Sequence, residues 1–156
     1  MAAPGTFHFY AANASVFKLS DLASANLRMA LVTSAYTPNI TATGHNEWAD
    51  VSTNELANGN GYTTGGDSLT GTVAADAGND GFKLSSENAQ WTASGAGIPA
   101  WRYAVLYYTG ALWGLTSPLV GYFLGDSAPA DVPLTASGNV LQLNCPADGW
   151  GKLTSS

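Results

Sequence analysis

Tyr103-Ala104-Val105-Leu106-Tyr107-Tyr108-Thr109-Gly110-Ala111-Leu112-Trp113-Gly114-Leu115-Thr116-Ser117-Pro118-Leu119-Val120-Gly121-Tyr122-Phe123-Leu124 runs for 22 residues without a charged side chain. A charge-free stretch of that length is long enough to cross a bilayer as a helix. Its middle points the other way. Thr109, Gly110, Gly114, Thr116, Ser117 and Pro118 are turn formers or small polar residues, and glycine and proline at mid-span weaken a helix. On either side, Tyr103, Val105, Tyr107, Tyr108, Val120, Tyr122 and Phe123 are β-branched or aromatic, which suits extended chain. The stretch therefore predicts two buried strands, 101–109 and 118–125, joined by a turn-rich connection. A membrane span is rejected on the same pattern.

Working outward, residues 1–156 suffice for a single domain with a real core. A hydrophobic fraction of 46% argues for a folded chain although only 10% of residues are charged. The 18 glycines, with many Thr, Ser and Asn, supply the turns an all-β domain needs. Net charge is −6, and Lys18, Arg28, Lys83, Arg102 and Lys152 are the basic residues. Such a surface repels phosphate backbones, so nucleic acid is not an expected partner. The lone Cys145 excludes an internal disulfide and reads as a small buried hydrophobe. Met1-Ala2-Ala3-Pro4-Gly5 carries neither a basic region nor a long apolar run, so no secretory leader is expected.

Along the chain, Phe7 and Phe9 alternate with His8 in a strand-like start. Asn13 to Leu19 predicts a turn or two of helix capped by Asn13. Leu27-Arg28-Met29-Ala30-Leu31-Val32-Thr33 predicts a central strand, because its apolar run is near-continuous. Residues 34–61 are polar with scattered apolar positions, and 47–56 predicts a short helix. Short strands then recur at 62–64, 68–75, 82–84, 89–93 and 140–144. They are separated by Gly- and Asn-rich turns at about 8–12-residue spacing. That rhythm predicts an all-β fold with one or two short helices, arranged as an antiparallel β-sandwich or jelly-roll-like barrel.

The sharpest chemical motif is Asp76-Ala77-Gly78-Asn79-Asp80-Gly81, which continues to Glu87. Asp76, Asp80 and Glu87 fall at positions 1, 5 and 12 of an EF-hand calcium loop. Gly78 stands where an oxygen ligand is wanted and the flanks read as strands, so a hairpin turn is the preferred account. His45, Glu47 and Asp50 form a second acidic grouping, but zinc or iron needs a further ligand and His8 is the other histidine. Two histidines and one cysteine leave few members for a nucleophile–base set, and no nucleophile elbow or phosphate-binding loop is present. Neither an enzyme nor a cofactor is expected. Trp91, Trp101 and Trp113 are interleaved with aliphatics, the mark of core, whereas Trp48 and Trp150 sit in polar or glycine-rich contexts that favour an exposed contact.

Five pieces in order carry a resemblance: Leu31-Val32-Thr33-Ser34-Ala35-Tyr36-Thr37-Pro38, Gly61-Tyr62-Thr63-Thr64-Gly65-Gly66, Trp91, Arg102-Tyr103-Ala104-Val105, and Ser117-Pro118-Leu119-Val120-Gly121-Tyr122. Their order and spacing, from Phe9 to Leu153, resemble a family of small tailed-bacteriophage virion structural proteins. The chain departs from the family at Glu87-Asn88-Ala89-Gln90, where members carry adjacent aspartates, and its Asp126 only partly supplies the family's acidic turn. The resemblance implies no catalytic residues. It implies a virion structural protein, and the leading expectation built on it is a capsid decoration, or cement, protein with the major capsid protein or other virion proteins as partners. Self-association as a homodimer or homotrimer is also expected, with no membrane partner. Trp113, Leu115 and Trp150 are the candidate contact residues. A tail, baseplate or fibre component is the alternative, as is a carbohydrate-binding module displayed on the particle.

Overall fold

The computed structural model describes residues 5–78 and 80–154. The leader reading concerns mainly residues 1–4, which lie outside the described residues. In chain order the strands are β1 (His8–Phe9), β2 (Leu27–Val32), β3 (Asp67–Leu69), β4 (Thr72–Asp76), β5 (Gly81–Ser85) and β6 (Ala89–Thr92). They continue with β7 (Tyr103–Tyr108), β8 (Ala111–Leu112), β9 (Leu115–Thr116), β10 (Leu119–Leu124), β11 (Val140–Leu143) and β12 (Gly151–Thr154). The fold is all-β and antiparallel. No helix among the described residues is long and apolar enough to cross a membrane.

The charge-free run forms β7 and β10, with the small β8–β9 hairpin in the turn-rich middle. These two strands lie inside a five-stranded sheet of order β1-β10-β7-β2-β3. Both faces of the sheet are buried, which is why β2, β7 and β10 read as continuous apolar runs. On the inner face Met29, Leu31, Ala104, Leu106 and Phe123 join a core completed by Leu84, Trp91, Trp101, Leu141, Leu143 and Trp150. Those covering residues come from β5, β6, β11 and their connections, grouped as a β12-β5-β4 sheet and a β11-β6 pair. On the outer face Ala30, Val32, Val105, Tyr107, Leu119 and Tyr122 pack with Tyr10, Tyr36 and Val51.

A bulge in β10 serves both faces. Leu119 pairs with Tyr107 and Gly121 with Leu106, so Val120 is the inserted residue. Leu119 thereby stays in the outer cluster while Val120 enters the inner one. Position 121 must be glycine, because a Cβ there would stand 2.3 Å from the Phe7 ring.

Several expected elements differ. The 13–19 helix is replaced by 3-10 turns at Ala11–Asn13 and Leu19–Leu22. Asn13 caps nothing with its side chain; its buried amide donates to the carbonyls of Asn46 and Leu119, each at 2.9 Å. The 47–56 helix is two single 3-10 turns, Trp48–Asp50 and Ser52–Asn54. The 68–75 strand is broken at Thr70-Gly71, where the Gly71 N–H turns to the Ser24 carbonyl at 2.8 Å. Residues 62–64 are a loop tied by a single bridge, Gly59 to Tyr62. β12 carried no alternating signal and was not expected.

Candidate functional site

The predicted contact residues differ in exposure. Trp150 is buried at 5% exposure, stacks on Phe123 with centroids 5.8 Å apart, and donates its indole N–H to Ser86 Oγ at 2.8 Å. Its glycine-rich sequence context suggested exposure, but β12 folds that segment onto the core. Trp113 and Leu115 are half-buried on the β8–β9 hairpin. Trp113 occupies the left-handed region at φ 57° beside Gly114 at φ 78°, packs on Phe17, and donates to Asp21 Oδ2 at 3.0 Å. Trp48 also turns inward, its ring stacked on Tyr107 at 4.3 Å and 5°.

The acidic groupings do not assemble. Asp76 pairs with Gly81 at the tip of the β4–β5 hairpin, and Thr72 pairs with Ser85 at its base. Glu87 follows that base and accepts the Thr70 N–H at 2.8 Å, so the length of the hairpin separates it from Asp76 and Asp80. Asp76 lies 4.0 Å from Lys152 Nζ across the sheet. In the other grouping, Glu47 Oε1 accepts the Thr116 N–H at 2.6 Å and Asp50 Oδ2 accepts those of Asn46 and Glu47. His45 Nδ1 lies 2.9 Å from the Tyr36 hydroxyl. Among the described residues no three His, Cys, Asp or Glu side chains are grouped to hold a metal.

The polar centre that does form was missed in the sequence. Glu55, half-buried, accepts the Tyr62 hydroxyl at 2.7 Å and the Gly65 N–H at 2.6 Å on one oxygen. The Tyr62 hydroxyl in turn accepts the Leu31 N–H at 3.0 Å. Tyr107 donates to the Gly65 carbonyl at 2.8 Å, and Arg28 to that of Gly66 at 3.3 Å. Gly66, at φ 78°, lies so close to β2 that a Cβ would stand 2.1 Å from the Met29 carbonyl oxygen. The Gly-Tyr-Thr-Thr-Gly-Gly segment is thus a brace that clamps a loop onto β2 and β7. Burial pushes the Glu55 carboxyl up, against the lowering pull of its two hydrogen bonds and of Arg28. The same burial, with Glu55 adjacent, raises the phenols of Tyr62 and Tyr107, the latter to about 12.

A second network closes the outer face. The hydroxyls of Tyr10 and Tyr36 meet at 3.0 Å, and Tyr36 continues to His45. Burial raises both phenols, Tyr36 to about 12. Tyr103 and Tyr122 pack edge-on at 71°, in herringbone rather than as a flat platform.

A cavity of about 170 Å³ is lined by Phe7, Phe123, Leu143, Pro146 and Trp150, together with Gln142 and Asn144. Among the described residues no charged side chain lines it. No family model matches the sequence, and neither a curated protein nor a solved structure shows significant similarity to it.

Proposed function

We propose that this chain is a structural protein of a tailed-bacteriophage particle, a decoration protein that stabilises the head by bridging capsomers as a homodimer or homotrimer. The observation that carries the reading is how the carboxylates are used. Those of Glu47, Asp50, Glu55, Asp67 and Glu87 each accept backbone N–H groups, pinning loops rather than facing one another across a cleft. A sheet buried on both faces, with its loops pinned, suits a rigid passive scaffold. The segments that carry the family resemblance fall on or beside β2, β6, β7, β10 and the Glu55 brace, which supports reading them as one architecture. The acidic surface suits a protein that must not compete for packaged DNA.

Against the carbohydrate-binding reading weigh the burial of Trp150 and the stacking of one face of the half-buried Trp48 on Tyr107. Electron microscopy of intact particles, with copy number measured, tests the proposal. Hundreds of copies spread over the head are expected. A handful at the tail or a vertex overturns decoration in favour of a tail or baseplate role.

A further inference from the structure

We propose that His45 is an acid-released latch: its unprotonated Nδ1 fastens the 39–45 loop to the Tyr10–Tyr36 hydroxyl pair, and protonation of that atom frees the loop. The device is a property of the chain by itself and stands or falls apart from the particle reading above.

Hydrogen-bond direction fixes the tautomer. The Asn39 N–H points at His45 Nδ1 from 3.4 Å, and a backbone N–H can only donate. Nδ1 is therefore an acceptor, and the ring proton of the neutral imidazole sits on Nε2. The Tyr36 hydroxyl, 2.9 Å from the same nitrogen, must then donate to it. With its proton so used, Tyr36 accepts from Tyr10 at 3.0 Å. One chain of donors runs from Tyr10, 3% exposed, through Tyr36 to the half-buried His45.

The same residue closes the loop. The His45 N–H donates to the Asn39 carbonyl and the Gly44 N–H to that of Thr41, each at 2.9 Å, and Asn39 Oδ1 accepts the Thr41 hydroxyl at 2.9 Å. Gly44 is pressed against Asn39, where a Cβ would stand 2.3 Å from the carbonyl oxygen. Residues 39–43 are exposed, and Nδ1 joins them to the buried hydroxyls.

Because Nε2 already carries a proton, acid must protonate Nδ1. The imidazolium then presents an N–H to the Asn39 N–H, donor against donor. It keeps Tyr36 only by reversing the chain, with Nδ1–H donating to Tyr36 and Tyr36 to Tyr10. Reversal leaves the buried Tyr10 proton without an acceptor, since among the described residues no other hydrogen bond reaches that hydroxyl. The neighbouring titratable groups are engaged elsewhere. Glu47 Oε1 accepts the Thr116 N–H, Asp50 Oδ2 accepts those of Asn46 and Glu47, and Tyr103 and Tyr122 meet Tyr36 and Tyr10 through their rings. Both ends of the chain thus lose a bond on protonation, and release of the loop relieves both. Release stops at Asn46, whose carbonyl accepts the Leu119 N–H at 2.9 Å, while the Trp48 N–H donates to Ser117 at 2.8 Å.

Nuclear magnetic resonance of the full chain, labelled in its histidine rings, tests this together with amide hydrogen exchange. At neutral to mildly alkaline pH the Nε2–H tautomer of His45 is expected, with the Asn39, Gly44 and His45 amides protected. On acidification from about pH 8 to about pH 5, the range in which imidazoles ordinarily titrate, protection at those amides should fall about 10-fold or more, in step with the His45 ring. The amides of β7 and β10 should keep theirs. His8, exposed and stacked on Tyr122, gives the reference titration. His45→Asn offers an acceptor oxygen near the place of Nδ1 that acid does not protonate, so its loop should stay protected throughout. An Nδ1–H tautomer before acidification overturns the proposal. So does a His45 that stays neutral at the acid end, a loop that keeps its protection while His45 becomes charged, or an acid-induced loss that His45→Asn shows equally. Should that variant disturb the loop at every pH, the wild-type tautomer and the coupled titration decide by themselves.

Discussion

On its inner face the five-stranded sheet presents Met29, Leu31, Leu106, Val120 and Phe123 to a second layer of strands, and closure is almost wholly apolar. On its outer face Tyr10, Tyr36 and Tyr107 stand among Val32, Val105 and Leu119, covered by irregular chain. There the cover is held by hydroxyl and carboxylate hydrogen bonds: Tyr10 to Tyr36, Tyr107 to Gly65, Gly65 to Glu55. The inner face needs only matching volume. The outer face also needs direction, because a buried hydroxyl that loses its partner costs more than the bond was worth. One sheet therefore has one face that responds to cavities and another that responds to protonation and polar substitution.

Raising the pH is the strongest way to break the outer face. Burial holds the phenols of Tyr36 and Tyr107 up to about 12 from an ordinary 10, and pushes Tyr10 upward as well. Between those values the folded chain keeps protons that the unfolded chain releases. The stability these groups contribute is full below pH 10 and lost as pH rises through about 12. Cooperative unfolding is expected in that window, with phenolate absorbance and circular dichroism changing together. A fold that persists while all seven tyrosines titrate near pH 10 contradicts the closed outer face.

Leu106 and Val105 are adjacent on β7, fully buried, and point to opposite faces. Leu106→Ala should cost about 3–5 kcal/mol and Val105→Ala about 2 kcal/mol in urea unfolding. A cost for Val105→Ala below about 0.5 kcal/mol, the size of a surface change, would mean that the loop cover does not exclude water.

The inner face was legible because aliphatic and aromatic runs state burial directly. The pairing of 101–109 with 118–125 followed from the charge-free run and its turn-rich middle. The outer cover was not legible. Residues 34–61 looked polar, and their closure depends on contacts such as Asn13 to the Asn46 carbonyl, 33 residues apart in sequence. Glu55 gave no local sign, since its partners Tyr62 and Gly65 lie on another loop. A usable signal was nonetheless present: a tyrosine between glycines, followed by Gly65-Gly66, marks backbone held unusually close to a neighbour. Trp150 misled for the opposite reason, because its polar neighbours are the edge of a strand that local sequence did not announce.

The Glu55 brace gives a sharper polar test than either cavity. Glu55→Ala leaves the Tyr62 hydroxyl and the Gly65 N–H without their acceptor, an expected loss of about 2–3 kcal/mol. Glu55→Gln keeps an acceptor oxygen and should stay within about 1 kcal/mol of the wild type. The two variants also differ from wild type in pH response. With the carboxyl raised above its ordinary 4.5, its stabilising contribution is complete below that pH and is lost as pH climbs through the raised value. That segment of the stability profile should flatten in Glu55→Gln. An unchanged slope would show that another group titrates there.

The smallest effect separates a hydroxyl pair from simple packing. Tyr36→Phe removes a partner of the buried Tyr10 hydroxyl and of His45 Nδ1, and should cost about 1 kcal/mol, as should Tyr10→Phe. The double variant takes away both hydroxyls at once and leaves no orphan between them. Its cost should therefore fall short of the sum of the single costs by about 0.5–1 kcal/mol. Strict additivity would mean that the rings, not the bond between them, hold the outer face, and that its directional character resides in the Glu55 brace alone.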